Sequence, residues 1–198
     1  QGYIQEISGM NIVPFMYLGA KHMVTGYDHI LFLVGVIFFL YRLQDVGLYV
    51  SLFAIGHSST LLLGVFADIS INAYFIDAVI GLSIVYKALD NLDAYKRWLG
   101  WQPNTKIATL IFGLFHGFGL ASKIQEFSLS KDGLLVNLIS FNIGVEMGQI
   151  IALSVVLIFM SFWRKTGKFE KNAYNTNVAL MSGGFILMGY QLTGLFYS

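Results

Sequence analysis

Cysteine is absent from this 198-residue chain. Disulfides, thiolate metal sites and cysteine nucleophiles are thereby excluded together, and any metal must be held by nitrogen and oxygen ligands. Charge is scarce as well. Asp, Glu, Lys and Arg make up 12% of the residues, roughly half the share of a soluble domain. The formal net charge is +1 and no basic patch stands out, which argues against a nucleic-acid partner. There is no tandem repeat and no separate soluble domain, and no signal-peptide pattern is visible from Gln1 onward.

What remains is apolar: 56% of residues are hydrophobic and the mean hydropathy is +0.67. Too little polar surface is left to cover a water-soluble globule of this size. A hydrocarbon core about 30 Å thick takes roughly 20 apolar residues in a helix. Runs that fit lie at 27–41, 47–67, 71–89, 106–121, 134–163 and 173–196. The expected fold is therefore all-α, a polytopic membrane bundle of about six transmembrane helices forming one transmembrane domain over residues 1–198. An apolar stretch at 10–26 precedes the first run and contains Pro14, Gly19, Lys21 and His22. It reads as a broken first helix or a half-buried lead-in.

The distribution of Lys and Arg orients the bundle. With the N-terminus outside, Arg42, Lys87, Lys96, Arg97, Lys106, Arg164, Lys165, Lys168 and Lys171 fall on the cytoplasmic side, leaving Lys21, Lys123 and Lys131 outside. Both termini are expected outside. Ser83, Lys87 and Asn91 form a polar stripe toward the inner face, where Lys87 is expected to snorkel to the interface.

All four histidines, His22, His29, His57 and His116, fall in or beside the expected spans, as do Asp28, Asp77 and Glu146. Ionisable groups at bilayer depth are costly when unpaired, so they usually face a bundle interior and mark a site. The bland alternative is a set of interhelical hydrogen bonds, which suits any single histidine better than it suits the whole set. In KHMVTGYDHILF, His22 and His29 are seven apart, about 10 Å along a continuous helix. A break at Gly26 would bring the rings together, and Asp28 could ligate or orient a ligand histidine. GHSST places His57 beside Ser58, Ser59 and Thr60. FGLFHGFGLA surrounds His116 with glycines, of which Gly113 and Gly117 form a small-xxx-small pair suited to close helix approach. In FNIGVEMGQ, Asn142, Glu146 and Gln149 share one helix face, with Gly144 and Gly148 a second small pair. The candidate ligands are thus His22, Asp28, His29, His57, His116 and Glu146, supported by Ser59, Asp77, Asn142 and Gln149.

By depth, His22, Asp28 and His29 lie toward the outer leaflet and Asp77 in the outer half, with His57, His116 and Glu146 nearer the middle. Imidazoles with carboxylates suit a transition-metal ion and do not suit calcium or magnesium. The seven methionines show no clustered copper(I) motif, so zinc or nickel leads. The partners expected are membrane lipids and a divalent metal ion, and a homo-oligomer is compatible with the sequence.

The series GYDHILFL, IGHSST, ALDNL, GLFHGFGLA and FNIGVEMGQ, in that order, resembles the HupE/UreJ family of hydrogenase and urease accessory membrane proteins, particularly its second branch. The spacing of HDH followed by GHS is also similar to nickel/cobalt permeases. The resemblance implies a nickel-type divalent-metal permease in a bacterial inner membrane, with His22, Asp28 and His29 as the first ligands met and His116 downstream. Spacing alone leaves a second possibility close to even, a zinc-dependent intramembrane hydrolase facing outward. A catalytic zinc takes three protein ligands and one open position. Glu146 or Asp28 would then be the general base, with Asn142 or Ser59 steadying an oxyanion. A third possibility is a non-catalytic sensor or assembly factor with a structural metal. Transport is the expectation, carried chiefly by the resemblance.

Overall fold

The computed structural model describes residues 9–125 and 132–197. Lys131, one of the cations expected on the outer side, lies outside the described residues. Among these residues every regular element is an α-helix: α1 (Ile12–Thr25), α2 (Tyr27–Ile37), α3 (Leu43–Phe66), α4 (Ala73–Asn91), α5 (Ala94–Leu99), α6 (Thr105–Gln125), α7 (Leu134–Lys165) and α8 (Phe169–Tyr197). Four of them, α3, α6, α7 and α8, are long and apolar enough to cross a membrane. Their outward faces carry Ile, Leu, Phe and Tyr at high exposure, the pattern of a surface solvated by lipid. The apolar run expected at 27–41 is helical only as far as Ile37, and 12–25 forms a helix of its own.

Three close helix pairs organise the bundle: α3 with α6, α1 with α7, and α4 with α8. Small residues make these approaches possible, because lipid offers no hydrophobic drive for helix association and packing must supply it. A Cβ on Gly113 would sit 2.5 Å from the Phe53 carbonyl oxygen, and one on Gly117 would strike the His57 carbonyl and the Thr60 hydroxyl. The small pair Gly113/Gly117 is therefore the α3–α6 seam, which also fixes the backbone at His57. Gly144 and Gly148 play the same part against Met16 and Ala20 of α1.

The order of these contacts gives helix directions. Met16 meets Gly144 and Ala20 meets Gly148, so α1 runs parallel to α7. Phe53 meets Gly113 and Gly64 meets Ala121, so α3 runs parallel to α6. Tyr74 meets Gly194 and Val85 meets Gly184, so α4 runs antiparallel to α8. The end of α2 lies at the end of α7, where the Arg164 guanidinium donates to the carbonyls of Ile37 (2.8 Å), Phe38 (2.6 Å) and Leu40 (2.9 Å). Helices α1 and α2 thus follow α7 from its start to its end, as one path broken at Gly26.

Candidate metal centre

The break at Gly26 comes first, because it shapes everything around it. Gly26 leaves helical geometry with φ −73° and ψ 99° while its N–H still donates to the His22 carbonyl at 3.0 Å. The chain re-enters helix at once as α2. A Cβ on Gly26 would lie 2.7 Å from His29 Nδ1 and 3.0 Å from Asp28 Oδ1, so the close approach needs glycine here. The rings of His22 and His29, about 10 Å apart along an unbroken helix, stand with centroids 4.9 Å apart.

The other two histidines arrive from the α3–α6 seam. The His29 ring lies 4.9 Å from that of His116 and 6.4 Å from that of His57. His22, His29 and His57 each offer a nitrogen within 4.8 Å of the others. His29, His57 and His116 are all 3% exposed or less. Four imidazoles from four helices therefore share one buried volume.

Their hydrogen bonds are informative. His116 Nδ1 lies 2.7 Å from the Phe112 carbonyl oxygen, an acceptor only, so that nitrogen carries the proton and Nε2 keeps its lone pair. His29 Nδ1 lies 2.9 Å from Asp28 Oδ1, with the same consequence. This is the arrangement by which ligand histidines are oriented elsewhere. Nε2 of His22, His29 and His116 and both ring nitrogens of His57 are buried without a hydrogen-bond partner. Buried polar atoms are ordinarily paired. One of the two His57 nitrogens carries that ring's proton, so the orphaned nitrogens supply four lone pairs, a donor set that fits an N-ligated divalent ion.

Among the described residues, a cavity of about 190 Å³ reaches the cluster from one side, at His22 and Asp28, and is walled by Tyr27, Asp77, Lys123 and Gln191. Asp77 is held there by Lys123 Nζ at 2.8 and 3.0 Å. On the opposite side the rings of Phe32, Phe53 and Phe112 close together, with centroids 5.5 and 6.0 Å from Phe32. Beyond them is a buried ion pair, Lys87 Nζ to Asp90 Oδ2 at 2.5 Å. Thr105 Oγ1 donates to the same carboxylate at 3.1 Å and Gln102 Nε2 also donates to it. Lys87 does not snorkel. At 7% exposure it turns inward, because Asp90 one turn further along α4 supplies a counter-charge that the interface would only have diluted.

The remaining sequence candidates are more scattered. Asn142 is buried with Oδ1 unpartnered, and Gln149 is 1% exposed with both amide atoms unpartnered. Glu146, expected on the same face, is exposed instead and lines a groove between α3 and α7. Ser59 opens on the same groove and donates back to the Ile55 carbonyl at 2.6 Å. The sequence reading missed the aromatic wall. Its signal was available: Phe53 and Phe112 each precede a histidine by four residues, and Phe32 follows His29 by three, so each shares a helix face with an imidazole.

A family model described as HupE / UreJ protein matches the chain over residues 1–198. No curated protein and no solved structure matches the chain.

Proposed function

Since the chain belongs to the HupE/UreJ family, we propose that it is a divalent-metal permease of nickel type, holding its cargo within the membrane on His22, His29, His57 and His116. Asp28 orients His29 in this reading. Glu146 is the weakest member of the ligand set expected from sequence, since it is exposed on another face of α7. The observation that carries the proposal is the convergence of five unpartnered imidazole nitrogens from four helices. Nitrogen donors of this kind suit nickel or zinc over harder cations.

The proposed topology has six crossings in a single transmembrane domain of a bacterial inner membrane, wrapped by lipid. α1 and α2 together make one broken crossing and α4 makes another, added to the four long apolar helices. The helix directions support this count, because each successive crossing reverses. The Lys/Arg bias then sets both termini outside, and the 190 Å³ cavity opens outward. The test is uptake of nickel or zinc into liposomes carrying the purified protein. Uptake should disappear in His29→Ala and His116→Ala, and persistence in both would sink the reading.

A specific observation favours a second function. The Phe32–Phe53–Phe112 wall and the Lys87–Asp90 pair separate the cluster from the inner face, and a buried ammonium is a poor neighbour for a departing cation. A one-sided site suits an outward-facing zinc hydrolase, in which the metal would supply Lewis acidity. Stoichiometric zinc retained through repeated exchange, with no flux in either direction, would favour that reading over transport.

A further inference from the structure

Two charged residues of the cavity have no part in the metal centre. Asp77, near the start of α4, and Lys123, near the end of α6, both line the 190 Å³ space that leads to His22. Lys123 Nζ donates to the two carboxylate oxygens of Asp77 at 3.0 and 2.8 Å, and these are its hydrogen bonds among the described residues. The partners are unequally placed, with the Asp77 side chain 17% exposed and that of Lys123 45%. The carboxylate belongs to the cavity wall, and the ammonium reaches it on a stem that stands partly in the open. As a brace between α4 and α6 the pair adds little. Ion pairs this exposed contribute weakly to stability, and the two helices already meet where Gly119 faces Ile76, whose Cγ2 would lie 2.7 Å from an added Cβ. Within the cavity Lys123 cancels Asp77, so Asp28 supplies the net charge of the lining.

We propose that the Asp77–Lys123 pair is a valence filter in front of the metal centre. Lys123 occupies Asp77 as a tethered monovalent cation, and a divalent ion entering the cavity displaces it. A free sodium or potassium ion carries the same single charge and cannot make the two charge-assisted hydrogen bonds that the ammonium makes, so it gains nothing by the exchange. A divalent ion is attracted twice as strongly at equal distance, and Asp28 in the same cavity adds to that attraction. The displaced ammonium has somewhere to go. Its stem is already 45% exposed, and a lysine readily turns its charged head to water while the stem stays on the protein. The ion then has His22 ahead of it, whose Nε2 is buried without a hydrogen-bond partner. This proposal rests on the metal reading and adds to it the rule by which ions are admitted.

The experiment follows the rate at which purified protein takes up zinc, and in parallel nickel, from a coloured chelator after rapid mixing. Each variant is measured in dilute salt and then with sodium chloride or N-methylglucamine chloride at equal ionic strength. The two salts screen alike, but only sodium is small enough to sit on a carboxylate inside the cavity. One unit charge about 8 Å from a divalent ion in water changes its local concentration about fivefold. Lys123→Met should therefore load about fivefold faster than the native protein in dilute salt, and Asp77→Asn, which leaves the ammonium facing the incoming ion, about fivefold slower. Sodium should slow Lys123→Met at least twofold more than N-methylglucamine does, whereas the native protein should respond equally to both. Bound metal per chain should be unchanged in both variants, which shows that the centre is intact. A mere brace would make the two variants fail in the same direction. Slowing of both, a native rate in either, loss of bound metal in either, or equal response of Lys123→Met to the two salts overturns the proposal and leaves the metal reading standing. Failure of the native protein to bind either metal overturns both.

Discussion

Asp28→Asn is the most informative single change at the metal centre, because it separates orientation from ligation. Asp28 Oδ1 accepts from His29 Nδ1 at 2.9 Å, while its own side chain stays 28% exposed. Removing such a partner typically lowers metal affinity by about 10–100-fold, equivalent to about 1.4–2.7 kcal/mol. Asparagine keeps an acceptor oxygen and loses the charge, and a charge-assisted bond is about twice as strong as a neutral one. Partial exposure of the carboxylate weakens the effect further. The expected ladder is about tenfold weaker binding for Asp28→Asn, about 30–100-fold for Asp28→Ala, and a larger loss for His29→Ala. The assay is competition against a coloured chelator with detergent-purified protein and zinc or nickel. Native affinity in Asp28→Ala would refute the orienting role. An Asp28→Asn defect as deep as that of His29→Ala would instead make Asp28 a direct ligand.

The α3–α6 seam predicts a sharp contrast between two glycines. Gly117→Ala, which drives a methyl into the His57 carbonyl, should lower stability by about 1–3 kcal/mol or more. Gly183→Ala, with nothing within 4 Å of the new carbon, should leave the melting temperature in detergent unchanged or slightly raised. Lys87→Met strands Asp90 in a buried site and should cost about 3–5 kcal/mol, whereas adding Asp90→Leu should recover much of that loss; denaturant unfolding of the single and double variants checks the difference. The missing cysteines make topology directly testable. A membrane-impermeant thiol reagent should label Met10→Cys, 71% exposed just before α1, from outside intact cells and Lys168→Cys only after the membrane is opened.

The helical class and two of the close helix approaches, though not their partners, were legible because lipid imposes strict terms. Runs of apolar residues had to be helices, and the small pairs Gly113/Gly117 and Gly144/Gly148 had to mark seams. The histidine convergence was legible only conditionally. Spacing placed His22 and His29 too far apart, and only a break at Gly26 could close the gap. Whether a glycine flanked by Thr25 and Tyr27 breaks a helix depends on what its neighbours pack against, and here those neighbours are His29 and Asp28. The face shared by Asn142, Glu146 and Gln149 misled for a related reason. Helix periodicity gives relative angle but not which edge of the face touches a partner. Asn142 and Gln149 are buried, while Glu146 is exposed on the groove beside α3. Lys87 was legible as polar, but its inward turn depends on Asp90, Gln102 and Thr105 meeting from separate segments, which no local pattern encodes.

Transport and hydrolysis differ most sharply in what they ask of α2. This one helix carries His29 in the cluster and Phe32 in the wall beneath it, so a tilt of α2 about Gly26 would move a ligand and the seal together. A permease needs such a motion to release its ion inward, and a hydrolase needs α2 held still. The far end of α2 is tied down by Arg164, whose guanidinium takes three carbonyls of Ile37, Phe38 and Leu40. Those carbonyls belong to a helix end, where four such groups lack intrahelical partners, so the tether is one the sequence could release. Arg164→Ala frees that end while touching none of the imidazoles. If α2 is the moving part of a permease, liposomal flux should change severalfold in Arg164→Ala with metal stoichiometry and affinity unchanged. If flux is absent in the native protein and remains absent in Arg164→Ala while the metal stays bound, the broken helix serves only to bring His22 to His29, and the fixed, outward-facing site is the working form of the protein.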